Sequence, residues 1–134
     1  MRLSFILVEH SEIDIYIANE QIKRVLGDAV VETFLTAEAA MDHITLDKAP
    51  VADRRLILLD LMMPGLDGAN FIRLFEALPR HIRDDYRIVI LTSSLNATDL
   101  ERLRKRPDVE MVIKKPLTNE KFRSLLGQFN IKVD

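Results

Sequence analysis

The stretch LILLDLMMPGLDG, residues 56–68, ends a run of aliphatic residues in a carboxylate, Asp60, and breaks at once into a Pro-Gly turn. Three other apolar runs end in polar groups: FILV leads into Glu9 and His10, RIVIL into Thr92 and Ser93, and VEMVI into Lys114 and Lys115. Two carboxylates with a hydroxyl and an ammonium in reach are poor equipment for taking a proton from carbon. They suit the holding of a divalent cation and a phosphoryl group, the cation offsetting charge between carboxylate and phosphoryl oxygens while the hydroxyl and ammonium bind the rest. Magnesium takes oxygen ligands and usually keeps several waters, so two carboxylates and a backbone carbonyl would suffice from the protein.

These groups can meet only if the runs that carry them share one edge. Short runs rich in Ile, Leu and Val alternate with longer segments of helical period, the pattern of a parallel sheet with crossover helices. Strands are expected at Leu3–Val8, Ala29–Phe34, Leu56–Asp60, Arg87–Thr92 and Val109–Ile113. Helices are expected over Glu12–Leu26, stopped by Gly27, from Thr36 through Ala40 and Ile44, over Asp67–Leu78, over Ala97–Arg104, and from a cap at Thr118. LDKAPVADRR reads as a polar loop. Strands that are apolar throughout need cover on both faces, which makes the fold class α/β, a doubly wound five-stranded parallel sheet with helices on each side. In such sheets the functional crevice lies outside the carboxyl ends of the strands, where the polar terminators fall.

The bulk numbers agree with one such domain. The chain has 134 residues, enough to bury roughly two-thirds of its unfolded surface around one core, and neither a linker nor a second block of periodicity remains, so no output domain is expected. Its 19 basic and 21 acidic residues leave a net charge of -2, which gives no field for nucleic acid. RLRKRP, residues 102–107, reads as a solvated helix end. Cysteine is absent, which removes disulfides and thiolate chemistry and fits the cytoplasm. No apolar stretch approaches the roughly 18 residues of a membrane span, and the apolar run after Ser4 is too short for a signal segment.

Together these features resemble the receiver domain of two-component response regulators, over essentially the whole chain, with LLDLMMPGLDG as the most specific piece. The resemblance implies a flavodoxin-like receiver fold in a stand-alone phosphorelay module. It implies that Asp60 accepts a phosphoryl group from a sensor histidine kinase or phosphotransfer protein. It also implies that Thr92 and Lys115 bind the phosphoryl oxygens, and that Glu9, Asp60 and the Met62 backbone carbonyl hold magnesium. Pro64, Gly65 and Gly68 match the turn that follows, and KKP at 114–116 matches a Lys-Pro bond that the family usually holds in cis. A downstream protein target would read the resulting change in the face formed by the last two helices.

Two positions depart from the pattern. His10 stands where the family carries the second acid of a metal-binding pair, and neutral imidazole is a poor ligand for a hard cation, so magnesium should bind weakly. A protonated His10 could instead supply positive charge beside Asp60. Val112, three residues before Lys115, replaces an aromatic residue that commonly couples to the strand-four hydroxyl. These departures raise an alternative from a different class, a pseudo-receiver that keeps the fold as a protein interaction module without phosphate control. His43 and His81 have no second ligand at metal spacing and read as surface residues. The glycines lack the spacing of a nucleotide-binding loop, and DLMMP lacks the second aspartate of a dehalogenase-like phosphatase, so an enzyme with its own small substrate ranks third.

Overall fold

The computed structural model describes residues 3–46, 54–62, 67–93 and 96–131. In chain order the elements are β1 (Leu3–Val8), α1 (Glu12–Leu26), β2 (Val30–Phe34), α2 (Ala37–Leu46), β3 (Arg54–Asp60), α3 (Gly68–Glu76), α4 (Arg80–Arg83), β4 (Tyr86–Thr92), α5 (Ala97–Arg104), β5 (Val109–Lys114) and α6 (Asn119–Gln128). Successive side chains of a strand point to opposite faces, and β3 shows what this does for the core. Leu56 and Leu58 join a cluster with Ala18 and Ile22 of α1 and Phe122, Leu125 and Leu126 of α6. Ile57 and Leu59 join a second cluster with Ala40 and Ile44 of α2 and Phe71, Ile72 and Phe75 of α3, against which Leu103 of α5 packs. Helices therefore cover both faces, as the uninterrupted apolar strands require. Each fully buried aliphatic side chain contributes about 1.5–3 kcal/mol relative to exposure.

The five strands run parallel in the order β2-β1-β3-β4-β5, the flavodoxin-like arrangement. From β1 the chain crosses to β2 on one side and then to β3 on the other, so the order reverses between β1 and β3, the place where such sheets open a crevice. The register sets Val8 against Leu59, Asp60 against Leu91, and Thr92 against Lys114. The polar terminators of four strands thus arrive at one edge. Helix starts are fixed by side chains that accept otherwise unmatched amides. Ser11 accepts from Asp14, Thr36 from Ala39, Asp67 from Asn70, Asn96 from Thr98 and Asp99, and Thr118 from Lys121. Gly27, at φ 70°, stops α1 in a conformation open to glycine.

The differences from expectation lie at element ends. β3 and β4 begin earlier than their apolar runs, because buried Arg55 and Tyr86 are register partners and the guanidinium donates to the Tyr86 hydroxyl at 2.9 Å. α3 stops at Glu76, two residues short of the expected Leu78, and the brief α4 follows Pro79, which sits just before its first turn. β2 starts at Val30 rather than Ala29, and β5 extends to Lys114. Most of the expected polar loop, residues 47–53, and the Pro64-Gly65 turn lie outside the described residues. Among the described residues no helix is long and apolar enough to cross a membrane.

Candidate functional site

Asp60 closes β3 as a buried carboxylate, and its surroundings are set by backbone. The Leu61 amide continues the sheet bonding to the Leu91 carbonyl at 3.1 Å, and the Met62 amide donates to Asp60 Oδ1 at 3.1 Å. α3 begins almost on top of this end: the Gly68 amide donates to the Leu61 carbonyl at 3.1 Å. A Cβ on Gly68 would stand 2.8 Å from the Leu61 Cα, so the approach needs glycine.

Glu9, one residue beyond β1, is also buried. Its Oε1 accepts from the His10 and Ser11 amides at 3.0 and 3.1 Å, and its Oε2 receives the Lys115 ammonium at 2.6 Å. That ammonium also reaches Asp14 Oδ2 at 2.9 Å and lies 3.4 Å from Asp60 Oδ1. Lys115 is placed by β5: its amide donates to the Thr92 carbonyl at 2.8 Å, and the Lys115–Pro116 bond is cis. Thr92 ends β4 fully buried, one residue past the register partner of Asp60. The His10 ring stands at the mouth, half-exposed, with Nδ1 3.3 Å from Asp60 Oδ2 and 3.7 Å from Glu9 Oε1.

The electrostatics follow from that crowding. Burial pushes the Glu9 carboxyl above its ordinary range; the Lys115 hydrogen bond pulls it back in part, and neighbouring Asp60 raises it further. Burial opposes the Lys115 charge, but hydrogen bonds to Glu9 and Asp14 and the charges of Glu9 and Asp60 outweigh it, holding the ammonium's pKa above the usual lysine value. Three carboxylates facing one ammonium leave an excess of negative charge that a cation would offset. Possible ligand atoms of Glu9, His10 and Asp60 lie within 4.8 Å of one another, close enough for one ion.

Glu9, His10, Asp60 and Lys115 thus converge, with Thr92 beside them in the sheet. Met62 is exposed at the rim, and its amide engages Asp60. His43 lies elsewhere, 3.3 Å from Glu32 and against the Phe34 ring, and His81 is an exposed residue of α4. Within RLRKRP, Arg104 pairs with Glu101 and Arg106 with Glu76. Val112 packs against the cluster under α2 and α3. One group at the site was not anticipated: Asp14, in the first turn of α1, where the helix dipole by itself favours a carboxylate residue. No spacing rule singles it out, since helical periodicity begins only at Glu12, after the strand-ending acid Glu9.

Solved structures share this fold. A response regulator receiver protein from Dyadobacter fermentans superposes with a TM-score of 0.83 at 28% identity, covering 97% of this chain and 99% of that one. A two-component response regulator from Cytophaga hutchinsonii gives 0.83 at 20% identity, over 97% and 98% of the two chains. The Mn(2+)-bound form of response regulator Rcp1 gives 0.73 at 23% identity, over 100% and 99%; at such identities the likeness is one of fold. The sequence model described as the response regulator receiver domain matches residues 6–126, and on that match the chain belongs to the response regulator receiver domain family.

Proposed function

We propose that this receiver domain is a phosphoacceptor in a two-component relay, taking a phosphoryl group onto Asp60 from the phosphohistidine of a sensor histidine kinase or phosphotransfer protein. An Asp60 oxygen forms the new P–O bond as the P–N bond of the donor breaks, and that electron pair stays on the donor imidazole. Lys115 and the Thr92 hydroxyl bind the phosphoryl oxygens. The chain turns over no separate substrate, so it is a signalling protein rather than an enzyme. The observation that carries this reading is the convergence at one sheet edge of a buried carboxylate, Asp60, and an ammonium, Lys115 Nζ, 3.4 Å away.

Glu9, Asp60 and the Met62 carbonyl would hold a divalent cation, which would offset the charge shared between carboxylate and phosphoryl oxygens. The carboxylates fit that role, since their oxygens lie within one ion's reach. His10 adds a nitrogen donor and favours softer transition cations over magnesium; a neighbour of this fold has been solved in a Mn(2+)-bound form. Phosphorylation adds about 1.5 to 2 negative charges. Movement of Thr92 toward them would displace β4 and the face of α5 and α6, where a downstream protein target would dock. The work would be done in the cytoplasm, in keeping with a chain without cysteine.

The His10 ring, 3.3 Å from Asp60 Oδ2 where the family has a carboxylate, favours a second reading, the phosphorylation-independent interaction module. Titration with beryllofluoride, a phosphoryl mimic, and magnesium, followed by amide NMR, separates the two. Saturable shifts at Asp60, Thr92 and Lys115 are expected. Unchanged spectra would overturn the phosphoacceptor reading and leave the interaction module.

A further inference from the structure

We infer that Asp14 is the resting-state holder of Lys115, and that it gives up the ammonium when an anion is built on Asp60, so that phosphoryl occupancy is reported on α1. This rests on the phosphoacceptor reading above. The Lys115 ammonium has three protons and faces three carboxylates, with contacts of 2.6 Å to Glu9, 2.9 Å to Asp14 and 3.4 Å to Asp60. The contact to Asp60 is the long one. A tetrahedral group on Asp60 carries more charge than the carboxylate alone and draws the ammonium toward it, which lengthens one of the two shorter contacts.

Exposure decides which contact yields. The Glu9 side chain is 1% exposed and its Oε1 is committed to the His10 and Ser11 amides, so losing the ammonium would leave Oε2 to the cation alone, where water cannot replace the lost contact. The Asp14 side chain is 31% exposed. It can be hydrated when released, and it remains favourably placed in the first turn of α1. Asp14 is therefore the contact that yields, and its bond to Lys115 favours the unoccupied state over the occupied one.

The consequence falls on α1, whose first turns are tied to the site in two ways. Glu9 Oε1 accepts the His10 and Ser11 amides that lead into the helix, and Asp14 is clamped by Lys115. Releasing the second tie leaves the first in place and frees the turn bearing Ile13, with Tyr16 one turn further along; both side chains are largely exposed. This path runs from Asp60 through Lys115 to α1 and does not pass through Val112.

The test compares the natural chain with Asp14→Asn, Asp14→Glu and Glu12→Gln by beryllofluoride titration at saturating magnesium, with amide NMR of α1. Glu12, exposed in the same turn, controls for loss of one negative charge near the site. Asp14→Asn is expected to bind beryllofluoride about fivefold tighter, the size of one partly exposed ion pair. Its Ile13 and Tyr16 amides should no longer move on binding. Asp14→Glu should restore the natural affinity and the shifts, and Glu12→Gln should match the natural chain. Equal tightening in Glu12→Gln, or unchanged affinity and undiminished α1 shifts in Asp14→Asn, would overturn the inference alone. Absence of binding in all four proteins would overturn the phosphoacceptor reading with it.

Discussion

At the scale of single residues, position 10 sets the chemistry of the crevice. His10 stands where the family has a carboxylate, its Nδ1 3.3 Å from Asp60 Oδ2, so a cation held there as proposed would meet two acids and one nitrogen in place of three acids. A hard, small cation loses most by that exchange, because magnesium demands oxygen ligands and dehydrates reluctantly. Borderline cations bind imidazole well. His10→Asp is therefore expected to tighten magnesium binding on the order of tenfold, a fraction of what one added unit charge about 4 Å from a cation can supply. The same change should lower the ratio of manganese to magnesium affinity. Calorimetric titration of both metals into both proteins measures this, and equal magnesium affinities would show that the imidazole leaves the cation site untouched.

Elements are held at their working distance by backbone, and glycine shows where. A methyl group on Gly68 would meet the Leu61 backbone at 2.8 Å, whereas one on Gly127 in α6 meets nothing within 4 Å. Gly68→Ala should destabilise by about 1–3 kcal/mol, as overpacking does, and should disturb the Met62 amide bond to Asp60. Gly127→Ala should stabilise by about 0.5–1 kcal/mol, since alanine is the better helix former. Urea unfolding of the two variants should give midpoints on opposite sides of the natural one; two shifts of the same sign would contradict the close approach of α3 to β3. Most of this level was legible in the sequence. Strand interiors such as Leu56–Leu59 declare themselves by composition, and caps such as Ser11 and Thr118 by residue type ahead of a periodic run. Arg55 was not legible as strand, because a charge that continues a polar loop is read as loop until its cross-strand partner, here Tyr86, is known. Asp14 was not legible as a site residue, because its partner Lys115 lies 101 positions away and only the sheet order brings the two together.

For the whole molecule, the sheet edge is a place where burial and charge oppose each other, and that opposition is measurable as stability. Burial, the larger cause, raises the Glu9 pKa above the ordinary carboxylate range, with Asp60 adding to it and Lys115 offsetting part. The folded protein then holds the Glu9 proton more tightly than the unfolded chain does. Stability from this group is present at low pH and falls as pH rises from the ordinary carboxylate range through the folded value, at no more than about 1.4 kcal/mol per pH unit for one proton. Lys115 acts in a separate window. Its pKa is raised because its carboxylate partners outweigh burial, so its contribution is complete below the usual lysine range and fades only as pH climbs through the folded value. Other acids superimpose their own slopes, so the quantity to measure is a difference. Urea midpoints of the natural chain and Glu9→Gln, taken with chelator across the acid and neutral range, should diverge as pH rises, the natural chain losing stability relative to the glutamine variant. The groups facing Glu9 are Lys115, Asp60 and His10. His10 is the ionisable ring that faces Glu9, so the comparison is repeated in a His10→Asn background, where the divergence should persist. Parallel curves in both backgrounds would mean that Glu9 titrates as freely folded as unfolded, and that the burial at the crevice does not bear on its charge.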